Sequence, residues 1–217
     1  MTKTIGVILS GCGFMDGAEI HESVCTLLAL DEAQAKVRCF APNTSFDVID
    51  HRTGEATGER RNALEESARI CRGEIQDIAE AKAADLDAVI LPGGFGAAKV
   101  LSDFATQGAE CDIDPNVSQL LCDIHAAGKP IGAICIAPAL VARALGKHTP
   151  TLTIGNDEGT AQALEQMGCK HDVCPTDAFV IDQENRIVST PAYMLGPTIA
   201  PVHKGIQQTV NAVLAMA

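Results

Sequence analysis

The sequence predicts an α/β fold with a doubly wound, mostly parallel sheet, and its pattern and composition both support this. Short apolar segments alternate with segments of helical periodicity, which is typical of strands covered by helices on both faces. The chain is 47% hydrophobic but only 3% aromatic, so small and aliphatic side chains must fill the core between closely packed helices and sheet. Since no repeat or linker divides the 217 residues, we expect one domain spanning residues 1–217.

The first half of the chain contains three predicted strands and two predicted helices. Apolar runs predict strands at residues 5–9, 37–40 and 88–91. The periodic segment 19–30 places four aliphatic side chains on one helical face: Ile20, Val24, Leu27 and Leu28. Asp16 is a plausible N-cap for this helix. A second helix is predicted at residues 117–126, and Gly128 and Pro130 end it.

The second half continues the alternation. Strands are predicted at 131–134, as a central strand, and at 152–154, with helices at 138–145 and 160–167. Pro138 suits the first turn of its helix. Residues 179–182 and 187–190 are predicted to form a hairpin, and a helix at 199–216 closes the chain.

Charge and cysteine content exclude several classes of protein. The formal net charge is −12, which argues against binding to nucleic acid or to an anionic membrane. No apolar run approaches the roughly 18 residues of a membrane helix, and no signal peptide is visible before the first strand. The nine cysteines are odd in number and include no CxxC motif. They are therefore predicted to be reduced, mostly as core residues, in a cytoplasmic protein.

Unusual residues follow three of the predicted strands. They are Ser10-Gly11-Cys12-Gly13, Pro92-Gly93-Gly94 and Cys135. Because sites in doubly wound sheets form at the carboxyl ends of strands, we expect these segments to converge. Cys12 is then either a neighbour of Cys135 or a packed side chain.

Cys135 is the candidate nucleophile, because a buried strand ends at it and a helix begins within about three residues. The helix dipole there favours the thiolate, which predicts that Cys135 is the most acidic of the nine thiols. The amide of Ile136 is free to donate to an oxyanion. The alternative is that Cys135 is an ordinary core cysteine.

Two further segments are candidates for the same site. The glycines at 93 and 94 do not have the spacing of a phosphate loop, and are read either as backbone that approaches a substrate or as a tight turn. Glu22 either serves the helix end, as Glu19 does, or is a half-buried proton carrier beside the thiol. Zinc binding by Cys169, His171 and Cys174 is only weakly indicated by their spacing, and no metal is expected.

These motifs resemble a known family. Gly132-Ala133-Ile134-Cys135, Leu91-Pro92-Gly93-Gly94 and the segment 17–22 are similar to the PfpI-like branch of the class I glutamine amidotransferase-like superfamily. The opening 6–13, the segment 92–99, Cys135-Ile136-Ala137-Pro138-Ala139 and Thr190-Pro191-Ala192-Tyr193-Met194 resemble its ElbB-type members, which are described as glyoxalases and linked by name to isoprenoid biosynthesis. The resemblance runs nearly from end to end.

The resemblance implies a flavodoxin-like three-layer sandwich. It also implies a nucleophilic Cys135, an acid at Glu22 hydrogen-bonded to it, and an oxyanion hole from the backbone of Gly94 and Ile136. It further implies a homodimer that acts on glyoxal-type dicarbonyls as a glyoxalase III-like lyase, without a cofactor.

The chain departs from the wider family at one position of the site. Many relatives place a histidine shortly after the elbow helix, whereas residues 152–157 contain none, and His148 falls before the strand. Glu22 would then carry proton transfer alone. The expected function is a glyoxalase-like enzyme of low turnover. The alternatives are a redox-responsive or small-molecule-binding regulatory protein that uses an oxidisable Cys135 and, more weakly, an amidase.

Overall fold

A computed structural model describes residues 2–196 and 198–217. The strands are β1 (Thr4–Ile8), β2 (Lys36–Ala41), β3 (Ser45–Ile49), β4 (Ala56–Asn62), β5 (Ile75–Asp77), β6 (Ala88–Leu91), β7 (Ile131–Ile134), β8 (Thr151–Leu152), β9 (Lys170–His171), β10 (Val180–Asp182) and β11 (Ile187–Thr190). The helices are α1 (Ile20–Glu32), α2 (Ala63–Ile70), α3 (Phe95–Lys99), α4 (Phe104–Gln107), α5 (Pro115–Ala126), α6 (Pro138–Leu145), α7 (Glu158–Gln166) and α8 (Ile199–Met216). Across the described ranges, no helix has the length and hydropathy that a membrane crossing requires.

Seven strands form the central sheet, in the order β10-β11-β7-β6-β1-β2-β5. Every neighbouring pair is parallel except the edge hairpin of β10 and β11. Helices α5, α6 and α7 cover one face of this sheet, and α1 and α8 cover the other. The predicted doubly wound, flavodoxin-like sandwich and its terminal hairpin are therefore confirmed. Strand β7, which leads to Cys135, lies between β11 and β6 and is buried along its whole length.

The prediction of a sheet strand at 152–154 is wrong. Only Thr151–Leu152 is extended, and it pairs with β9 in a separate two-stranded sheet. Leu152 and Ile154 are nevertheless fully buried. The short apolar run therefore indicated burial correctly, but burial alone does not make a segment a strand of the central sheet. The hairpin of β3 and β4 was not predicted, because β4 is exposed along nearly all its length and has no apolar pattern.

Helix α1 lies on the sheet with polar as well as apolar side chains inward. Glu22, Ser23 and Thr26 are fully buried, whereas Ile20, Val24 and Leu28 are 42%, 48% and 44% exposed. The N-cap is Glu19 rather than Asp16, since Glu19 Oε2 accepts from the Glu22 N–H at 2.6 Å. Asp16 accepts instead from the Ile49 N–H at 2.8 Å, which draws it away from the helix. The face toward the sheet therefore combines the Glu22 carboxyl with the apolar side chains of Cys25, Ala29 and Leu30, and an aliphatic stripe of the helix stays exposed.

Candidate active site

A sharp turn carries Cys135 between β7 and α6. Its φ angle is +63°, a left-handed conformation that is uncommon and strained for a residue with a side chain. The Cys135 N–H donates to the Thr190 carbonyl at 2.9 Å, and Pro138 occupies the first turn of α6, as predicted. This is the strand–nucleophile–helix geometry of an elbow, in which the side chain projects at the sheet edge.

Three groups surround the Cys135 sulfur. The backbone amides of Gly94 and Ile136 lower the pKa of the Cys135 thiol, and the Glu22 carboxyl beside it raises that pKa. The structure thus brings together the four residues that the sequence singled out, although they come from three separated segments. The backbone amides of Gly94 and Ile136 line the same cleft as the thiol and are therefore the candidates to stabilise an oxyanion on a carbon bonded to the sulfur.

Gly93 allows this close approach. A Cβ atom there would lie 2.5 Å from the Cys135 Cβ and 2.9 Å from Glu22 Oε2. Gly94 has φ +91°, and a Cβ on it would collide with the backbone at Glu19. The absence of a side chain at Gly93 and Gly94 therefore allows the loop after β6 to pack directly on the segment that leads into α1.

Glu22 is fully buried, and its carboxyl accepts two hydrogen bonds. Its Oε2 accepts from the Gly93 N–H at 2.9 Å and its Oε1 accepts from the Tyr193 N–H at 3.3 Å. The Cys135 side chain lies against the same glycine, which places the thiol beside this carboxyl. Burial, followed by the negative charge of Glu19, raises the pKa of Glu22 to about 7. This carboxyl can therefore both accept and return a proton near neutral pH.

The acidity predicted for Cys135 is wrong. Burial, followed by the charge of Glu22, raises the pKa of the Cys135 thiol well above its usual value. The Gly94 and Ile136 N–H groups oppose this increase but do not overcome it. The helix dipole favours the thiolate, but exclusion from water and the neighbouring carboxyl of Glu22 disfavour it more strongly. The thiol therefore keeps its proton until a base removes it.

A cleft of about 450 Å³ opens above the thiol. Aromatic residues are concentrated around it, since four of the seven in the chain line it: Phe14, Phe95, Phe104 and Tyr193. The sequence analysis assigned no role to these residues. A signal for Tyr193 was available, because it follows the carboxyl end of β11, a fourth strand end beside the three that were considered.

Two carboxyl groups, Glu19 and Asp157, also line the cleft. Asp157 stands in the stretch where many of the wider family have a histidine, and it caps α7 by accepting from the Thr160 N–H at 2.8 Å. Hydrogen bonds from Thr160 lower the pKa of Asp157, so it is ionised at neutral pH. Among the described residues that line the cleft, none is a histidine.

The remaining candidates lie elsewhere. Cys12 lines a separate cleft of about 300 Å³ with Asp16 and His51, so it is not a neighbour of Cys135. The ring of His148 packs against His125, with the centroids 4.4 Å apart, and is not part of the active-site cleft. Within residues 2–196 and 198–217, no three His, Cys, Asp or Glu side chains are grouped so as to hold a metal ion.

The seven-stranded sandwich and the cysteine elbow are typical of a class I glutamine amidotransferase-like protein. No protein-family model matches the chain. It is 44% identical to human "glutamine amidotransferase-like class 1 domain-containing protein 3, mitochondrial", over 98% of this chain and 82% of the relative. It is 42% identical to the rat "ES1 protein homolog, mitochondrial", over 98% and 83%. The chain therefore belongs to the family of these ES1 and glutamine amidotransferase-like domain proteins.

Solved structures agree with this assignment. The "isoprenoid biosynthesis protein with amidotransferase-like domain" from Ehrlichia chaffeensis matches with a TM-score of 0.92 and 38% identity, over 99% of this chain and all of that one. The ElbB-type resemblance is thereby confirmed. Glyoxalase III from Candida albicans matches with a TM-score of 0.65 and 14% identity, over 99% and 97%, which shows a shared fold alone.

The predicted cytoplasmic location is contradicted by the relatives. The human, rat and zebrafish proteins are all named as mitochondrial. The prediction relied on unpaired thiols and on the absence of a visible signal peptide. Unpaired thiols indicate a reducing compartment but do not distinguish one such compartment from another.

Proposed function

We propose that this protein is a cofactor-independent glyoxalase-like enzyme that converts glyoxal or a similar small dicarbonyl to a hydroxy acid. One observation carries the proposal. The Cys135 thiol lines a cleft together with the backbone of Gly94 and Ile136, and it lies beside a buried carboxyl, that of Glu22, whose pKa is raised to about 7. A nucleophile, oxyanion donors and a proton carrier are the groups that this chemistry requires.

In the first step, Glu22 removes the thiol proton while sulfur bonds to the aldehyde carbon. The aldehyde oxygen becomes an oxyanion held by the Gly94 and Ile136 amides, and its protonation gives a hemithioacetal. The raised pKa of Cys135 makes this base necessary, since the free thiol ionises little at neutral pH.

In the second step, Glu22 takes the proton from the carbon bonded to sulfur. Glu22 returns this proton to the neighbouring carbon, while the hydroxyl proton of the hemithioacetal passes to the oxygen on that carbon. The neighbouring carbonyl thus becomes a hydroxyl, and the hemithioacetal becomes a thioester. Water then cleaves the thioester, which releases glycolate or lactate and restores the Cys135 thiol. One dicarbonyl and one water give one hydroxy acid, with no net change in oxidation state.

The cleft favours uncharged substrates. Glu19 and Asp157 place carboxyl groups on its lining, and three phenylalanine rings make most of the remaining wall apolar. A substrate that already carries a carboxylate would be repelled. We therefore expect glyoxal and methylglyoxal to react well and glyoxylate to react poorly.

The experiment is a turnover assay with methylglyoxal, in the presence of a chelator and without glutathione or nicotinamide. We expect lactate, detected by NMR, from the wild-type protein and none from Cys135→Ala. Cys12→Ala, which changes a thiol outside the cleft, should retain wild-type activity. Folded wild-type protein that forms no hydroxy acid from glyoxal or methylglyoxal would exclude the proposal.

Neither alternative function is supported by a specific contact. An oxidisable regulatory thiol needs ready access to the thiolate, whereas burial and Glu22 raise the pKa of Cys135. Amidase chemistry normally uses an imidazole beside the thiol, and the described lining of the cleft contains none. The carboxyl that does contact the thiol suits proton transfer on a dicarbonyl.

A further inference from the structure

Tyr193 lines the active-site cleft with Cys135, yet the proposed mechanism gives its side chain no role. It is the single tyrosine of the chain and follows the carboxyl end of β11. The preceding residue, Ala192, is fully buried and has a φ angle of +43°, which is strained for a residue with a side chain. Such strain persists only where surrounding contacts hold it, and it is common at functional sites.

Two consecutive residues of α1 hold Tyr193 at its two ends. The Tyr193 N–H donates to Glu22 Oε1 at 3.3 Å, and the Tyr193 hydroxyl lies 2.8 Å from His21 Nδ1, within hydrogen-bond distance. The His21 side chain is 54% exposed and does not itself line the cleft. One turn of helix therefore positions both the proton carrier Glu22 and a phenol–imidazole pair that joins the cleft to solvent.

The charge around His21 sets the direction of its hydrogen bond to Tyr193. Glu19 Oε1 lies 3.9 Å from His21 Nδ1, and a carboxyl beside a ring nitrogen favours the proton on that nitrogen. His21 Nδ1–H then donates to the phenol oxygen, which leaves the proton of the phenol for a group in the cleft. Burial, followed by the charge of Glu19, raises the pKa of Tyr193, so the hydroxyl keeps this proton at neutral pH.

We propose that the Tyr193 hydroxyl is a catalytic group that transfers protons at the substrate oxygens, and that His21 is its positioning residue. This inference rests on the proposed function, whose second step moves a proton from one substrate oxygen to the other. As Glu22 takes the proton from the carbon bonded to sulfur, Tyr193 gives its hydroxyl proton to the neighbouring carbonyl oxygen. The resulting tyrosinate accepts a hydrogen bond from His21. As Glu22 returns its proton to the neighbouring carbon, the tyrosinate takes the hydroxyl proton of the hemithioacetal, so no proton is gained or lost.

The first test measures kcat and KM for methylglyoxal in Tyr193→Phe, which keeps the ring and the backbone N–H that binds Glu22. We expect kcat to fall about 10²-fold and KM to change less than about twofold, because the hydroxyl acts in the chemical step. An unchanged kcat in this variant, beside an active wild-type protein, would overturn the inference and leave the proposed function intact. Absence of turnover in the wild-type protein would exclude the proposed function and the inference with it.

A double-mutant cycle tests His21. His21→Ala should lower kcat about tenfold in the wild-type background but have no further effect in Tyr193→Phe, because His21 acts only through the hydroxyl. His21→Asn, whose amide can donate from near the position of Nδ1, should recover most of the loss. His125→Ala, which removes an imidazole outside the cleft, is the matched control and should keep the wild-type kcat. Equal losses in both backgrounds would overturn the role assigned to His21.

A titration without substrate tests the hydrogen bond separately from turnover. With one tyrosine and no tryptophan in the chain, the ultraviolet absorbance of tyrosinate reports Tyr193 alone. His21→Ala removes the Nδ1–H donor that stabilises tyrosinate, so the midpoint should move to higher pH. The variant leaves in place the other titratable groups that face Tyr193 or share its cleft, which are Glu19, Glu22, Cys25, Cys135 and Asp157. A midpoint that is unchanged or moves to lower pH would overturn the inference, whether or not the protein turns over a dicarbonyl.

Discussion

The two faces of α1 do not separate apolar from polar side chains as those of an ordinary surface helix do. The inner face buries Glu22, Ser23 and Thr26 together with Cys25, Ala29 and Leu30, while the outer face exposes Ile20, Val24 and Leu28. Burying a carboxyl costs free energy, and exposing aliphatic side chains forgoes their transfer to the core. The hydrogen bonds that Glu22 accepts, together with the burial of Cys25, Ala29 and Leu30, offset this cost.

Local hydrogen bonds reduce the cost of this orientation. The Ser23 hydroxyl donates to the Glu19 carbonyl and the Thr26 hydroxyl donates to the Glu22 carbonyl, both at 2.7 Å. These hydroxyls are satisfied within their own helix, as is common for serine and threonine. Only Glu22 reaches across to other segments, at Gly93, Tyr193 and Cys135. The inner face thus contains one functional group among side chains that are merely accommodated.

The largest expected effect is on the pH dependence of stability. The folded protein raises the pKa of Glu22 from 4.5 to about 7, so it favours the neutral carboxyl. The stabilisation from Glu22 is fully present below about pH 4.5 and is lost as the pH rises through about 7. Since one pKa unit corresponds to about 1.36 kcal/mol, the loss is about 3 kcal/mol.

Glu22→Gln removes this dependence. The free energy of unfolding is measured in urea at pH 4 and at pH 8.5 for both proteins. Between these two pH values, the wild-type protein should lose about 3 kcal/mol of stability relative to the variant. A difference between the two proteins that stays constant across this range would show that Glu22 is not buried as a neutral acid.

The next effect is on turnover. Glu22→Gln keeps a hydrogen-bond donor but cannot accept a proton, so dicarbonyl turnover should fall about 10²-fold. The adduct of substrate with Cys135 should still be trapped and detected by mass spectrometry. Glu19→Gln is the matched control, because its amide oxygen can still cap the Glu22 N–H, and its turnover should change only a few-fold. The reverse result would assign the proton carrier to Glu19.

A smaller effect concerns the pH profile. With Glu22 as the base and a pKa of about 7, kcat should rise about tenfold between pH 6 and pH 8. Glu19→Gln removes a negative charge that raises the pKa of Glu22, so the midpoint of the profile should move to lower pH. An unchanged midpoint in this variant would contradict the electrostatic coupling of the two carboxyls.

The smallest effect on folding is expected at the outer face. The exposed aliphatic residues of α1 are the surface on which we expect a second copy of the chain to pack as a homodimer. Val24→Ser should change the free energy of unfolding of the monomer by less than about 0.5 kcal/mol but weaken self-association in sedimentation velocity. Glu32→Gln, an exposed substitution on the same helix, should leave both unchanged. Destabilisation of the monomer by Val24→Ser would show that this face is buried.

Sequence patterns predicted the central sheet well because its strands carry a direct signal. The segments 88–91 and 131–134 are short, continuous apolar runs followed by glycine or a turn, and the structure confirms both as buried strands. The region between β2 and β6 carried little signal, since β4 is polar and exposed. In this region β4 is extended because it pairs with β3, and no hydrophobic pattern in the sequence indicates it.

The sequence by itself determined the doubly wound sheet, the elbow at Cys135 and the identity of Glu22 as a candidate, because each depends on a local pattern or a recognisable motif. Tertiary structure alone decided the side of α1 that faces the sheet and the aromatic lining of the cleft. It also reversed the expected acidity of Cys135. A pKa depends on all the charges around a group and on its exposure to solvent. Tertiary packing determines both, because it places segments that are far apart in the chain next to the group.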